Sequence, residues 1–453
     1  MIEVRSPYSG DVVGTAAAST AADARAAVDA AAHALESPLP AHERAAILDR
    51  TAALLRDRQE EMAQTICAEA GKPIKTARVE AARAVSTYTF AAVEARKLAG
   101  DVVPMEASEA GVGKVAFTLR RPIGVIGAIS PFNFPCNLVA HKLAPALAAG
   151  CPVVLKPARA TPLSALLLAE LEKEAGLPDG WLTVLVGPSG EIGDVLVADE
   201  RVKMITFTGS SGVGWSIAER APHKRVRLEL GNSTPVVVAA DADLDAAAQK
   251  LAANAFSFAG QSCISVQRIY VERSVLDGFL ERFVPKVEAL VTGDPADEKT
   301  DVGPVIDADA RARIVAWVEE AQAAGAKLLV GSTGADPLGP LLLAEAPETA
   351  KVVCAEVFGP VCVVNAVDSL EDAYERANAT EYGLQAGVFT NSLSTALAAA
   401  EALEFGGVTV NEAPTFRADQ MPYGGIKGSG NTKEGPAYAI REMTEERLVV
   451  LQR

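Results

Sequence analysis

Apolar positions between residues 20 and 100 recur with a period near 3.6, among Ala, Leu, Arg and Glu. That pattern predicts helices over Asp23–Ala34, Ala41–Ala70 and Ile74–Lys97, with Gly71, Lys72 and Pro73 as punctuation. Around residues 101–121 the texture changes to two short strand patterns, Val102–Glu106 and Gly113–Arg121, about a Gly-containing turn. A protruding hairpin of this kind offers an edge for pairing with another subunit. From Pro122 onward short apolar runs (GVIGAIS, CPVVLKPA, WLTVLVG, VKMITFTG, RVRLEL) alternate with helical segments near 138–148, 162–175 and 192. The alternation resumes beyond GNSTPVVV. A helical stretch over 246–258 precedes the strand pattern Ser265–Val271, and further helices are expected from Val275 and over 307–324, 369–379 and 394–404. A final strand, RLVVLQR, ends the chain. Strands alternating with helices make right-handed crossovers and a parallel, doubly wound sheet. The expected fold class is therefore α/β, with ligands held beyond strand ends.

At 453 residues the chain exceeds one compact core and predicts two or three domains. The 42 Lys and Arg against 58 Asp and Glu leave a net charge of −16, which repels nucleic acid and anionic membranes. Neither is an expected partner. No apolar run reaches membrane-spanning length, and MIEVRSPYSG does not read as a signal peptide, so the expected location is the cytoplasm. Six cysteines, at 67, 136, 151, 263, 354 and 362, show neither CxxC pairs nor His-rich spacing. Neither a metal site nor a disulfide framework is expected.

Five places carry candidate chemistry. FAGQSC puts Cys263 at a helix-to-strand junction after Gly260, where a thiolate could attack a carbonyl carbon. The alternative is a buried structural thiol. Glu229 ends an apolar strand, where burial would raise its pKa and suit it to act as a base; an outward-facing strand residue is the other reading. Asn133 in PFNFP could donate to an oxyanion, or simply form a turn. Lys156 ends the strand of LKPARATP, and FTGSSGVG opens a helix whose N-terminus attracts a diphosphate, although its spacing is not GxGxxG.

Taken in order, PFNFP, LKPA, FTGS, LELG, GQSC, EVFGP and PYGGIKGSG resemble the aldehyde dehydrogenase superfamily over essentially the whole chain. The resemblance implies that Cys263 is the nucleophile, Asn133 the oxyanion donor and Glu229 the base for hydrolysis. It implies NAD or NADP as cofactor, held by Ile129, Ser130, Pro131, Lys156, Ala158, Arg159, Gly209, Ser210, Gly231, Glu356 and Phe358. It also implies a doubly wound cofactor domain (1–103 and 123–231), an α/β catalytic domain (232–430) and a small β oligomerisation unit (104–122 and 431–453), in a homodimer or homotetramer.

Two positions depart from the family pattern. Asn232 stands where a second Gly is usual, and is expected to serve through its tolerance of positive φ. Arg159 stands where NAD-preferring members often carry Glu, and a guanidinium there could pair with a 2′-phosphate. For the substrate, Arg83, His141 and Arg417 fall where the family's tunnel lies. Cationic groups suit a small anionic aldehyde bearing a phosphono, phospho or carboxylate group, as in the branch that includes lactaldehyde and phosphonoaldehyde dehydrogenases. A CoA-acylating enzyme and a catalytically silent protein are the alternatives, and retention of Glu229 speaks for hydrolysis.

Overall fold

A computed structural model describes residues 1–453. Its first sheet has five parallel strands in the order Leu182–Val184, Val153–Lys156, Val125–Ile129, Val202–Thr208, Arg225–Glu229. Successive residues of a strand face opposite sides, and both sides here are covered. Val153 and Leu155 point into a core built with helices Ala41–Asp57, Gln59–Ala70, Ile74–Lys97 and Asn137–Ala149. Val154 points the other way, into a core with Ala21–Ala34 and Ser189–Ala198. The chain moves outward from Val125–Ile129, then jumps back across it to Val202–Thr208. That reversal opens a crevice at the carboxyl ends of these two strands.

The second sheet has seven strands, in the order Lys327–Val330, Leu341–Ala344, Val361–Val367, Val266–Glu272, Thr234–Val238, Gln385–Phe389, Gly407–Val410. Only the outermost strand, Lys327–Val330, runs antiparallel to its neighbour. The same alternation places Val236, Val238, Ile269 and Val271 in one core and Val237, Tyr270 and Val388 in the other. Glu229 closes the last strand of the first sheet, and Thr234 opens the second. The carboxyl ends of one sheet thus face the amino ends of the other, with Cys263 just before Val266–Glu272.

Several expectations need correction. The helical stretch 41–70 breaks at Arg58, whose φ and ψ of −105° and 24° leave the α region. The first hairpin strand is only Val102–Val103, because two 3₁₀ turns (Met105–Ala107 and Glu109–Gly111) follow Pro104. Lys114–Pro122 pairs along its whole length with Thr444–Gln452, so the protruding sheet has three strands. Residues 431–443 do not join that sheet as a unit with the tail. Helix Pro436–Glu442 lies on the first core, to which Ala439, Ile440 and Met443 belong. An N-terminal hairpin (Ile2–Arg5 with Val12–Ala16) and the strands Leu341–Ala344 and Gln385–Phe389 were not anticipated.

Candidate active site

The backbone leading to Cys263 is unusual. Phe258, Ala259 and Gly260 are consecutive left-handed residues, with φ of 50°, 52° and 68°. Two non-Gly residues in this region cost roughly 1–2 kcal/mol each, so the surroundings must enforce the path. Gly260 is required in its own right: a Cβ there would sit 2.0 Å from the Gly359 carbonyl oxygen. The Gln261 side chain donates to the carbonyls of Phe258 and Pro304 and accepts from the Ile306 N–H. Beneath the loop, Lys72 is fully buried with its Nζ 3.6 Å from the Phe134 ring centroid and 4.5 Å from that of Phe258. Its ion-pair partner Glu80 accepts the N–H groups of Cys136 (2.9 Å) and Asn137 (3.1 Å). A buried ion pair costs several kcal/mol in desolvation; two ring faces and two N–H donors offset that here. This one pair fastens together the PFNFP loop and the GQSC loop.

Cys263, Asn133 and Glu229 are brought to one cavity of about 440 Å³, also lined by Gly209, Ser210, Gly231, Glu356 and Phe358. Asn133 is buried, and its Nδ2 donates one N–H to the Gln261 carbonyl (3.0 Å), which leaves its other N–H uncommitted. The Cys263 N–H donates to no protein acceptor. Glu229 is buried with no hydrogen-bond partner for either carboxylate oxygen. Burial, reinforced by the charge of Glu434, raises its pKa well above the carboxylate range, against the opposing pull of Arg417 and Lys142. Burial likewise pushes the Cys263 thiol up to about 12, and the Tyr423 hydroxyl 2.9 Å from its sulfur opposes that rise.

Cys263 also lines a second, narrower cavity of about 170 Å³ with Arg83, Asn137, Arg417 and Tyr423. The sulfur therefore sits in the wall between two spaces. Arg417 is held by Glu434 (2.8 Å) and lies 3.9 Å over the Tyr423 ring. Arg83 reaches Asp419 (2.9 Å), which also accepts from Asn137 (3.2 Å). Each arginine keeps a buried Nε–H without a partner. His141 does not line this cavity. It is buried against Asp419 at 3.1 Å, and burial together with the Arg417 charge pushes it down to about 4, so it is neutral near pH 7. The third group expected there, cationic or hydrogen-bonding, is thus absent from the cavity wall.

The remaining expected residues gather at the crevice. Ile129, Ser130, Pro131, Lys156, Ala158, Arg159 and Gly209 line a cavity of about 500 Å³ that shares Pro131, Phe132, Thr208 and Gly209 with the Cys263 cavity. Lys156 is buried and donates to Ser189 at 2.7 Å. Ser210 caps helix Ser211–Arg220 without using its side chain. Ser130 Oγ and Ser211 Oγ are buried and unpartnered. The orphaned Ser130 hydroxyl and a helix N-terminus along one continuous trough fit a dinucleotide diphosphate. At the inner end a Cβ on Gly231 would lie 2.3 Å from Glu356, so the missing side chain makes room for that carboxylate. Burial pushes Glu356 up to about 7 although it accepts the Asn232 N–H. Asn232 is not in the left-handed region, contrary to expectation. It serves instead through its amide, which donates to Thr234 and to the Gln385 carbonyl and accepts the Leu384 N–H.

Sequence reasoning missed Lys142, Tyr423 and Glu434. Lys142 is buried, donates to Thr208 at 2.6 Å and lies 3.6 Å from Glu434. A lysine inside the all-buried helix Asn137–Ala149 was the available signal.

A model of the aldehyde dehydrogenase family matches residues 1–449. The chain is 46% identical to a 3-sulfolactaldehyde dehydrogenase of Priestia aryabhattai, over 99% of this chain and 94% of that protein. Among solved structures, a glyceraldehyde-3-phosphate dehydrogenase from Methanocaldococcus jannaschii complexed with NADP is 39% identical. It superimposes with a TM-score of 0.96 over 100% of this chain and 99% of that one. Aldehyde dehydrogenase 21 from Physcomitrella patens, in complex with the reaction product succinate, is 41% identical. Its TM-score is 0.97 over 100% and 95% of the two chains.

Proposed function

The chain belongs to the aldehyde dehydrogenase family, and on that premise we propose that it oxidises a small anionic aldehyde to the carboxylate with NAD(P). Cys263 attacks the aldehyde carbon to give a thiohemiacetal. Its oxyanion is placed for the free N–H of Asn133 and the backbone N–H of Cys263. When bound in the crevice, NAD(P) supplies the hydride acceptor. Lys156, Gly209 and Ser210 would hold its ribose and diphosphate, and Glu356 and Phe358 would hold its nicotinamide end. Glu229 then takes a proton from water, which hydrolyses the thioester on Cys263.

The observation that carries the substrate class is the pair of arginines in the narrow cavity, each with a buried, unpartnered Nε–H beside Cys263. The relatives support it: their names specify a sulfonate, a phosphate and, for the bound product, a carboxylate. Arg417 is fixed between Glu434 and Tyr423, so its removal would disturb the site. Arg83 is the cleaner test. Arg83→Gln is expected to raise KM about 10- to 100-fold for carboxylated, sulfonated or phosphorylated aldehydes, since a hydrogen bond to a charged group contributes roughly 1.5–3 kcal/mol. KM for neutral aldehydes should hold. Equal changes for both groups in steady-state assays would overturn the anionic substrate.

Arg159 is exposed, has no ion-pair partner and lines the same cavity as Lys156. It supports acceptance of NADP. Arg159→Glu is expected to lower kcat/KM for NADP about 10-fold, with little change for NAD, because a carboxylate repels the 2′-phosphate. Parallel loss with both cofactors would contradict this role. The exposed Leu119, Leu448 and Val450 of the three-stranded sheet support a homo-oligomer joined through that sheet.

A further inference from the structure

We propose that Tyr423 is a catalytic residue: its hydroxyl donates a hydrogen bond to the Cys263 thiolate, both before attack and when sulfur leaves at hydrolysis. This deepens the aldehyde dehydrogenase reading and rests on it for the second of these moments.

The geometry begins with a buried phenol. Tyr423 is 3% exposed, and its hydroxyl lies 2.9 Å from Cys263 Sγ. That sulfur is the hydroxyl's only protein partner. In the resting thiol either atom can donate, but a thiolate can only accept, so ionisation of Cys263 fixes the direction of the bond. Burial and the neighbouring sulfur hold the phenol pKa well above its usual value, so Tyr423 stays protonated and keeps its donor.

Two sets of contacts hold the residue. The Arg417 guanidinium lies 3.9 Å above it, fixed by Glu434 at 2.8 Å. The Tyr423 and Glu434 backbones bridge each other through N–H to carbonyl bonds in both directions, at 3.1 and 2.6 Å. A cation on the ring face draws electron density from the phenol and makes its hydroxyl a better donor. Asn133 donates to the Gln261 carbonyl and neither Glu229 oxygen has a hydrogen-bond partner, so Tyr423 is the only side chain hydrogen-bonded to the sulfur.

The step balances without another reagent. Water adds to the thioester carbon as its proton passes to Glu229. The tetrahedral intermediate then reforms its carbonyl, the C–S bond breaks, and the electron pair goes to sulfur. The Tyr423 O–H donates to that sulfur without losing its proton.

The test uses the whole 453-residue chain without aldehyde or cofactor. Iodoacetamide alkylation of Cys263 is followed against pH by peptide mass spectrometry, with the exposed Cys354 as internal reference. Tyr423→Phe keeps the ring and the Arg417 contact. It is expected to slow Cys263 alkylation at pH 8 about 10- to 100-fold and move its profile to higher pH, leaving Cys354 unchanged. A difluorotyrosine at 423, with a more acidic hydroxyl, should move the profile the opposite way. A Tyr423→Phe profile superimposing on that of the unaltered protein would overturn the proposal and leave Tyr423 as a wall of the pocket. Because no aldehyde is present, failure here is separate from failure of the proposed activity.

Discussion

Cys263→Ala is expected to lower NAD(P)H formation from every aldehyde by at least about a thousand-fold, the scale on which loss of a covalent nucleophile falls. The residue is half-buried and the only side chain hydrogen-bonded to its sulfur is Tyr423, so the change should leave folding intact. Thermal melting checks the fold and absorbance assays check turnover. Cofactor binding should survive, since Cys263 lines none of the crevice around Lys156. Residual activity within tenfold of the unaltered chain would remove Cys263 from the chemistry.

Glu229→Gln should separate the two halves of the reaction. The substitution preserves shape, and no hydrogen bond is lost because neither carboxylate oxygen has one. Hydride transfer should proceed once, giving a burst of about one equivalent of NAD(P)H. Steady turnover should then fall by about 10²- to 10⁴-fold, the usual contribution of a general base. A base must be ionised to act, and burial with the Glu434 charge raises the Glu229 pKa. The rising limb of kcat in the unaltered chain should therefore lie above the ordinary carboxylate range, and it should flatten in the variant. Stopped-flow absorbance against pH tests both statements. Loss of the burst itself would place Glu229 before hydride transfer instead. Faster turnover of the unaltered chain on adding coenzyme A would favour an acylating enzyme.

The sequence made the architecture readable because helical and strand periods are local properties. Ile74–Lys97 was delimited residue for residue by Pro73 and the end of its apolar stripe. The break at Arg58 was not visible, since the apolar pattern runs through it and only the backbone turns. The short strands Leu341–Ala344 and Gln385–Phe389 were missed because a fully buried strand lacks alternation. At the site, Cys263, Glu229 and Asn133 stood in recognisable motifs. Tyr423 stood in one as well, but its relation to a sulfur 160 positions away arises only when the two sheets meet. His141 shows the opposite case. It was chosen for its chemistry, yet its helix turns it toward Asp419 and buries it neutral. Lys142, one residue on, carries the charge inward to Thr208 and Glu434.

Cys263 in the wall between two cavities has a consequence for the order of events. On the proposed assignment, the organic substrate and the cofactor would approach one sulfur through separate doors, so neither would block the other's way out. On the same assignment, the cavity that Glu229 and Cys263 share would have to be clear of cofactor before water could reach the acyl group held on Cys263. The cycle thereby acquires a clock: oxidation first, an interval of exchange, then hydrolysis.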